Sequence, residues 1–375
     1  MSSQAEAPIF HWFLPTGGDS DQVGSVTVVH GRSVGTVTRE PTLDYLAEVA
    51  SVAEEGGFTG ALTPVGAGCE EALVTCTALS QRVDRLRFLV AFRPTLVLPT
   101  MLAQQSAAFQ RVSGGRLDVN IVTGGDPVEQ RAYGDHSDHD TRYARTDEFL
   151  TVLSRLWSGE PFTFRGDHVH VEDARLVHPP EQRPTVYFGG ASPAGEAVAA
   201  KHADVYLAWG EPVDHVAERR ERVGNLAAEH GRSPRFGLRL HIISRDTEDE
   251  AWDEAARLLD GMGDDAIARS QERFARMDSV GQARMAALAG GRRREVRDLE
   301  VAPNLWSGVG LVREGCATAL VGDHETVAER LAEYHRAGFD EFILSGYPHR
   351  EEALRFGRSV RPAVERAQRR ALATV

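Results

Sequence analysis

Lysine is almost absent from this chain of 375 residues, since Lys201 is the only lysine among 42 basic residues. It lies in a helical pattern, AGEAVAAKHAD, and not at the end of a predicted strand. Schiff-base chemistry and Walker-type phosphate binding both need a lysine at a defined position, so neither is expected. Anion binding must therefore rely on arginine, whose planar fork makes bidentate contacts.

Cysteine, long apolar runs and net positive charge are also lacking. The three cysteines, Cys69, Cys76 and Cys316, cannot pair completely and show no metal-type spacing, as expected in a reducing compartment. No run of about 18 apolar residues occurs, and the segment from Met1 to Pro8 does not have the composition of a signal peptide. We therefore expect a cytoplasmic protein. Its net charge of −13 disfavours nucleic acid and anionic membranes as partners.

Short apolar segments alternate with amphipathic ones, which is the pattern of βα units around a parallel sheet. Eight such units in one chain predict a single-domain (β/α)8 TIM barrel over residues 1–375. The predicted strands are Ile9–Leu14, Gly60–Pro64, Leu86–Phe92, Leu117–Val122, Thr185–Phe188, Val205–Ala208, Phe236–Ile243 and Glu341–Leu344. The predicted helices are Leu43–Glu55, Glu70–Leu79, Pro99–Arg111, Tyr143–Leu156, Pro193–Lys201, Pro212–Glu229, Thr326–Ala337 and Glu351–Arg370.

Three segments interrupt this alternation. Asp19–Arg39 is a loop rich in Gly, Ser and Val after the first strand, and Phe162–Val177 has the pattern of a β-hairpin on the barrel rim. Residues 248–319, after the seventh strand, form a long insertion. An insertion of this length on a barrel is typical of a lid or an interface.

The end of the fifth strand, Phe188–Ser192, combines two glycines with a serine at a helix start. Exposed N–H groups and the positive end of the helix dipole suit a phosphate there. Alternatively, Ser192 serves only as the helix cap, with Pro193 in the first turn. The two interpretations are compatible, and the spacing alone does not separate them.

Arg239 and His241 lie two residues apart on the seventh strand and therefore point to the same face. An arginine suits neither face of a barrel strand without an anionic partner. That partner is either a ligand or a carboxylate such as Glu211 or Asp126. The position near a strand end favours a ligand.

Histidines occur in two groups, His136 with His139 and His168 with His170, beside several acidic residues. Neither group matches H-E-x-x-H or a site with three histidines. We therefore expect a solvated surface or a helix-capping segment around His136 and His139, a position on the rim hairpin for His168 and His170, and no bound metal at either place.

Several stretches in this order resemble the two-component alkanesulfonate monooxygenases, which are bacterial luciferase-like flavin enzymes. The similarity runs from Phe10 to His349, with RLH, VREG and SGYPH as its most specific parts. The stretches are FHWFLPTGGD, FLVAFRPTLVLPTMLAQQSAAFQRVSGGRLDVNIVTGGDP, YFGGAS, DVYLAWGEP, FGLRLHII, RMDSVGQARMAAL, PNLWSGVGLVREGCATALVGD and FILSGYPH.

This resemblance implies a reaction in which reduced FMN and O2 oxygenate a sulfonate and release sulfite and an aldehyde. A separate NAD(P)H-dependent reductase would supply the reduced FMN, and the substrate would be a small anion. The resemblance also implies a homodimer or homotetramer. The protein would orient the flavin, bind the anion and exclude water.

The resemblance implies roles for particular residues. Arg239 and His241 would hold the anion and act in proton transfer, Arg313 would close over the substrate with the insertion as a mobile lid, and Tyr347 would hydrogen-bond the anion. Cys69 would shape the flavin pocket. Flavin contacts are expected from Thr123, Tyr143, Gly190, Ala191 and Ser192, and substrate contacts from His11, Trp209, Arg239 and Arg313.

The chain departs from the family at two places near the barrel mouth. Val65–Gly68 replaces a Thr-Gly-Arg type of turn, and the loop Asp19–Arg39 is lengthened. A bulkier sulfonate such as a sulfosugar, or another sulfur or heteroatom substrate, is therefore an alternative. Outside this chemistry, the alternatives are an F420-dependent dehydrogenase and a flavin-binding protein without catalytic activity.

Overall fold

The computed structural model describes residues 7–23, 28–29, 32–33 and 37–373, with side chains omitted at 28–29, 32–33 and 371–373. Eight parallel strands close into a barrel in their order along the chain, and the predicted TIM barrel is confirmed. The barrel strands are Ile9–Phe13, Gly60–Thr63, Arg87–Phe92, Leu117–Ile121, Val186–Gly189, Val205–Trp209, Arg235–Arg245 and Glu341–Ser345. Each overlaps its predicted strand.

Successive residues of each strand face opposite sides of the barrel wall, as the period of two requires. Phe10 and Trp12 pack outward against helices, whereas Phe13 packs inside the barrel. Leu238 and Leu240 likewise face outward, so the intervening Arg239 points into the barrel. The barrel interior is a packed core and not a channel, with Phe13, Leu62, Leu89, Tyr187, Val205 and Ile343 in one cluster.

Helices surround the barrel, and the predicted ones all have counterparts. Their bounds are Leu43–Glu55, Ala72–Leu79, Pro99–Ser113, Pro127–Ala132, His139–Trp157, Pro193–His202, Val213–Glu229, His324–Arg336, His349–Arg355 and Arg361–Ala373, with a π-helical turn at Phe356–Val360. Five of the eight predicted helices start one to four residues away from the prediction, and one helix, Pro127–Ala132, was not predicted. Asp126 caps the additional helix at Pro127, and Asp138 begins a helix that was predicted from Tyr143.

The segment between the seventh and eighth barrel strands has its own hydrophobic cluster, which includes Trp252, Trp306 and Leu311. The segment 319–323 extends the sheet by pairing in parallel with residues 241–245 of the seventh strand. Its other elements are the helices Glu248–Asp260, Asp264–Phe274 and Val280–Ala289, the 3-10 turns Val296–Leu299 and Gly308–Leu311, and the strands Glu300–Ala302, Leu305–Trp306 and Ala319–Asp323.

The hairpin predicted on the rim is confirmed, since Phe162–Arg165 pairs antiparallel with His170–Ala174. In the loop after the first strand, Asp19 and Arg39 form an antiparallel bridge, and Val28–Val29 pairs with Arg32–Ser33. The remainder of that loop, residues 24–27, 30–31 and 34–36, lies outside the described residues. Within the described ranges, no helix has both the length and the apolar character needed to cross a bilayer.

Candidate active site

A cavity of about 260 Å3 opens at the carboxyl ends of the third to sixth barrel strands. This is the end at which barrel enzymes carry their active sites. Trp209, predicted to contact substrate, lines the cavity. All five predicted flavin contacts also line it: Thr123, Tyr143, Gly190, Ala191 and Ser192. The structure thus brings together residues that are up to 86 positions apart in sequence (209 − 123).

The fifth strand ends in a tight turn that leads directly into the helix Pro193–His202. Ser192 caps this helix, because its hydroxyl accepts a hydrogen bond from the Gly195 N–H at 3.1 Å. A Cβ atom on Gly190 would lie 3.1 Å from the Gly195 Cα and 3.2 Å from the Tyr143 hydroxyl, so the turn leaves no room for a side chain. The capping interpretation is confirmed, and the turn faces the cavity, as a phosphate site also requires.

Residues 277–282 of the insertion cover the cavity, and most of them line it. Arg142 donates to Asp278 at 2.7 Å, and Arg284 forms an ion pair with the buried carboxylate of Glu211. Both ion pairs connect this part of the insertion to barrel elements. The insertion therefore contributes directly to the wall of the cavity.

Arg239 and His241 meet at one hydroxyl group inside the barrel. Arg239 Nη2 donates to Ser345 Oγ at 2.8 Å, and Ser345 Oγ lies 2.7 Å from His241 Nδ1. His241 Nε2 lies 3.2 Å from the Cys316 carbonyl, which can only accept a hydrogen bond. Because Nε2 must carry the proton, Nδ1 of the neutral ring accepts from Ser345. The network therefore fits a neutral His241.

Tyr347 and Arg313 complete this cluster. The Tyr347 ring is stacked on His241 with 5.6 Å between ring centroids, and its hydroxyl accepts from Arg313 Nη1 at 3.1 Å. The guanidinium carbons of Arg239 and Arg313 lie 5.0 and 5.1 Å from the centroid of the Phe13 ring. Four of the five predicted catalytic residues thus form one contact cluster.

The two arginines of this cluster have no carboxylate partner among the described residues. Arg239 donates only to carbonyl groups and to Ser345. Glu211, the first predicted alternative partner, pairs with Arg219 and Arg284, and Asp126 lies near Arg273. The alternative of an internal ion pair with Glu211 or Asp126 therefore does not hold, and the charge of Arg239 has no protein counter-charge among the described residues.

Burial and mutual repulsion shift the titration of these groups. Burial, followed by the charge of Arg313, lowers the pKa of Arg239 to about 10, so its guanidinium stays protonated at neutral pH. Burial, with the charges of Arg239 and Arg313, holds the pKa of His241 well below its usual range. Burial raises the pKa of Tyr347, whose phenol therefore keeps its proton.

A comparison with known families assigns the chain. The family model described as luciferase-like monooxygenase matches residues 9–341, which is most of the sequence.

The chain belongs to the luciferase-like monooxygenase family.

Solved structures have the same fold at low sequence identity. A riboflavin lyase, solved with modified FMN and riboflavin, has a TM-score of 0.80 and 17% identity, with 96% of this chain and 92% of that chain covered. The EDTA monooxygenase from Chelativorans sp. BNC1 has a TM-score of 0.76 and 20% identity over 96% and 94% of the chains. A long-chain alkane monooxygenase has a TM-score of 0.75 and 21% identity over 98% and 92%. These likenesses concern the fold.

His11, predicted to contact substrate, lies away from the cluster of this luciferase-like barrel. Its Nε2 atom is 3.0 Å from the carboxylate of Glu341, which begins the eighth strand and also accepts from the Tyr187 hydroxyl at 2.8 Å. His11 precedes Phe13 by two residues on the same strand, and both side chains point into the barrel. Phe13, which is nearer the carboxyl end, is the residue whose ring contacts Arg239 and Arg313. His11 therefore lies towards the amino-terminal end of the barrel, and the structure does not bring it to the cluster of Arg239, His241, Arg313 and Tyr347.

Cys69 lies in the loop after the second strand, half-buried, where its N–H donates to the Gly66 carbonyl at 3.0 Å. Burial raises the pKa of its thiol, an effect that the nearby charge of Arg313 partly offsets. A protonated thiol is a poor nucleophile. This location is compatible with the predicted role in shaping the pocket.

Asp19 and His349 form a buried pair that the sequence did not suggest. His349 donates to Asp19 through Nδ1 at 2.7 Å and through its backbone N–H at 2.9 Å. The His349 ring lies against Tyr347 and Phe13, at 5.2 and 5.5 Å between centroids, and its Nε2 atom is buried without a partner. The sequence indicated only one member of this pair, His349, as the last residue of SGYPH. Its partner Asp19 could not be identified from the sequence because it lies 330 residues away.

The histidine groups have other partners in the described part of the chain. His139 contacts Asp140 at 2.7 Å, and its ring lies 4.8 Å from the Tyr143 ring. His170 lies on the rim hairpin near Glu172. No cluster of three His, Cys, Asp or Glu side chains able to hold a metal occurs among the described residues.

Proposed function

We propose that this protein is an FMNH2- and O2-dependent monooxygenase that desulfonates an organosulfonate. The balanced reaction for a primary sulfonate is RCH2SO3− + FMNH2 + O2 → RCHO + HSO3− + FMN + H2O. The carbon bearing sulfur is oxidised, its C–S bond breaks, and O2 is reduced. The observation that carries the proposal is the pair formed by the buried Arg239 and the half-buried Arg313, which has no carboxylate partner among the described residues. Both arginines adjoin residues that line the cavity, since Arg239 pairs with Trp209 in the neighbouring strand and Arg313 precedes Glu314.

The cavity has the features that FMN requires. A helix begins directly after the turn Gly190–Ser192, and Gly190 carries no side chain that could cover the backbone N–H groups there. Uncovered N–H groups at a helix start are suited to bind a phosphate. Tyr143 and Thr123 add polar groups, and the aromatic ring of Trp209 faces the same space. Reduced FMN, when bound, supplies the two electrons of the reaction.

The arginines provide the anion site. A sulfonate spreads its charge over three oxygens, and guanidinium forks match that geometry. The stack on Phe13 holds both guanidiniums next to an apolar face, where their hydrogen bonds to an anion are less screened by water. Ser345 and His241 fix the orientation of Arg239.

Tyr347 is suited to donate a proton. Its hydroxyl oxygen accepts from Arg313, so its own hydrogen is free to point towards a bound anion. Because burial raises its pKa, the phenol is protonated over the physiological range. We assign to Tyr347 the hydrogen bond to the departing sulfite or the developing aldehyde.

The second candidate substrate is a bulkier sulfonate, such as a sulfosugar. The loop before Cys69 carries only small side chains at Gly66, Ala67 and Gly68, where the alkanesulfonate enzymes carry larger ones. Small side chains at the barrel mouth leave room for a larger group. Another sulfur or heteroatom substrate would use the same space.

The remaining assignments rest on the resemblance to two-component enzymes and on composition. A separate NAD(P)H-dependent reductase would supply the reduced flavin, and the chain would act as a homodimer or homotetramer, with residues 248–319 as a lid. The cysteine content supports the cytoplasm.

The test is sulfite release with FMN, a generic flavin reductase, NADH and O2, over linear, aromatic and sugar sulfonates. Sulfite that depends on both FMN and O2 supports the reaction, and the profile over the panel identifies the substrate class. An exposed arginine on the rim hairpin, changed in Arg165→Met, is the control for Arg239→Met. Tight binding of reduced FMN without sulfite from any substrate would contradict the desulfonation. Substrate oxidation without O2 that requires added oxidised F420, which accepts the hydride, would instead indicate an F420-dependent dehydrogenase.

A further inference from the structure

Arg93 follows the third barrel strand and lines the cavity with its side chain only 6% exposed. Its Nη2 atom donates to Glu129 at 2.6 Å, whereas Nε and Nη1 have no partner. Buried N–H groups of a cation are costly to leave without an acceptor. Arg93 thus keeps two buried donor nitrogens in the wall of the cavity that no described protein group satisfies.

The position of Arg93 is fixed by its surroundings. Glu129 accepts from both Arg93 and the backbone N–H of Ala67, the latter at 2.9 Å, and the guanidinium carbon lies 5.6 Å from the Tyr133 ring centroid. These contacts restrain the side chain before any ligand binds. A restrained donor loses little freedom when it binds an acceptor.

The other arginine in the cavity wall is used differently. Arg219 donates at 2.7 Å to Glu211, a buried carboxylate that Arg284 also contacts. That charge is held inside an ion-paired group of the barrel and the insertion. Arg93 is also paired with a carboxylate, Glu129, but it has two buried nitrogens without a partner, whereas Arg219 has one. Arg93 therefore offers more unsatisfied donors to a ligand.

Arg93 and the phosphate-like turn lie on opposite sides of the fourth strand. The turn Gly190–Ser192 follows the fifth strand and Arg93 follows the third. Neighbouring strands are about 4.8 Å apart, so the two strand ends are separated by about 10 Å. A ligand that places its phosphate at the turn would therefore present another part of itself to Arg93. In FMN the ribityl chain provides such a separation between phosphate and ring.

We infer that Arg93 binds the N1 and C2-carbonyl side of the flavin ring and makes the site prefer reduced over oxidised FMN. This inference rests on the proposed flavin function. Deprotonated reduced flavin carries its negative charge at this side of the ring, whereas the oxidised ring is neutral. A donor cation at that position stabilises the reduced, anionic form more strongly.

The test is anaerobic titration of the full-length protein with reduced FMN, oxidised FMN and reduced riboflavin. Arg93→Met removes the charge at similar length, and we expect it to raise the Kd of reduced FMN about tenfold or more, with less than about a twofold change for oxidised FMN. Reduced riboflavin should show the same loss as reduced FMN, because the contact concerns the ring.

Two variants separate a ligand contact from a structural effect. Glu129→Gln releases Arg93 and the loop at Ala67 but keeps the guanidinium, so the preference for reduced FMN should persist. Arg165→Met on the rim hairpin should leave all titrations unchanged. If Arg93→Met does not fold, Arg93→Lys keeps the charge with fewer donors and should show the same selective loss to a smaller extent.

If Arg93→Met weakens the binding of reduced and oxidised FMN equally, the inference is overturned. It is also overturned if Arg93→Met weakens the binding of reduced FMN but not of reduced riboflavin, because Arg93 would then contact the phosphate. Failure of the unmodified protein to bind reduced FMN would instead overturn the proposed flavin function. An independent measurement is the pKa of the bound reduced flavin, obtained from its absorbance as a function of pH. Arg93→Met should raise this pKa, because the cation that favours the anionic flavin is removed.

Discussion

The two ends of the barrel interior treat buried charge in opposite ways. At the amino-terminal end, Glu341 is fully buried but is surrounded by His11, Tyr187 and Arg235, at 3.0, 2.8 and 2.5 Å. At the carboxyl end, the buried Arg239 and the half-buried Arg313 have only neutral partners among the described residues. The first arrangement is complete without a ligand, whereas the second lacks an anion.

The difference shows why burial alone does not identify a site. His11 and His241 are both inward-facing, buried histidines on barrel strands. One donates to a carboxylate within the fold, and the other lies between two unpaired cations. Unbalanced buried charge, and not burial, marks the end at which a ligand belongs.

The largest effect is expected from removing a cation at the unbalanced end. Arg239→Met should lower sulfite release by about a hundredfold to a thousandfold, because a buried donor to the reacting anion is lost. Binding of reduced FMN should change by less than about twofold, since Arg239 is not among the residues that line the cavity. Steady-state assays measure the rate of sulfite release, and anaerobic titration measures the binding of reduced FMN. Lost flavin binding with unchanged turnover per bound flavin would contradict this assignment.

At the balanced end, the expected effect is on stability. Glu341→Ala leaves His11, Tyr187 and Arg235 without their common acceptor and should lower the free energy of unfolding by about 3 kcal/mol. Turnover per folded molecule should be unchanged. Urea unfolding and specific activity test this pair of outcomes, with Glu341→Gln as the milder control. Lost activity in a stable Glu341→Ala protein would show that the two ends are coupled.

The charge imbalance should also be visible in titration. The pKa of His241 lies below its usual range because of burial and then of Arg239 and Arg313. Removal of one cation in Arg239→Met should therefore raise this pKa, so that His241 gains its proton at a higher pH. Histidine NMR, assigned with His241→Asn, measures the shift, and Arg165→Met should not change it. An unchanged His241 titration would contradict the proposed repulsion.

The insertion closes the carboxyl end, and its ion pairs should have smaller effects. Arg284 is partly exposed, so its pair with Glu211 is screened by water and contributes about 1 kcal/mol or less. Arg284→Ala should therefore speed release of reduced FMN by about twofold to fivefold. Stopped-flow release measures this rate. Release unchanged in Arg284→Ala would show that the insertion does not retain the flavin.

The smallest effect is expected at Cys69. Because burial raises the pKa of its thiol, no thiolate is available for chemistry at neutral pH. Cys69→Ala should change sulfite release by less than about threefold, and iodoacetamide should react slowly. A large loss of turnover with normal flavin binding would assign the thiol a direct role.

Local patterns predicted much of the fold. Each barrel strand was recognisable as a short apolar run bounded by turn residues, and each overlaps the strand in the structure. The helix at Pro127 and the early start at His139 were missed, although Asp126 and Asp138 were available as capping signals. Those errors concern local chemistry and not topology.

The candidate site was predicted in part. Arg239 and His241 were indicated by their spacing on a strand and by the resemblance, whereas Arg313 and Tyr347 came from the resemblance. The structure places all four in one cluster. Arg93 was not singled out because its place in the cavity wall and its buried nitrogens without a partner are visible only in the structure. The pair Asp19 and His349 was overlooked because 330 residues separate its members.

The sequence by itself determined the alternation of strands and helices and the shared face of Arg239 and His241, because both follow from periods of two and 3.6 residues along one segment. The tertiary structure decided to which end of the barrel each inward residue belongs and which charges find a counter-charge. Those outcomes depend on register between strands far apart in sequence, as between His11 and Glu341. Local periodicity carries no information about such register, and closure of the barrel therefore separates a structural ion pair from a ligand site.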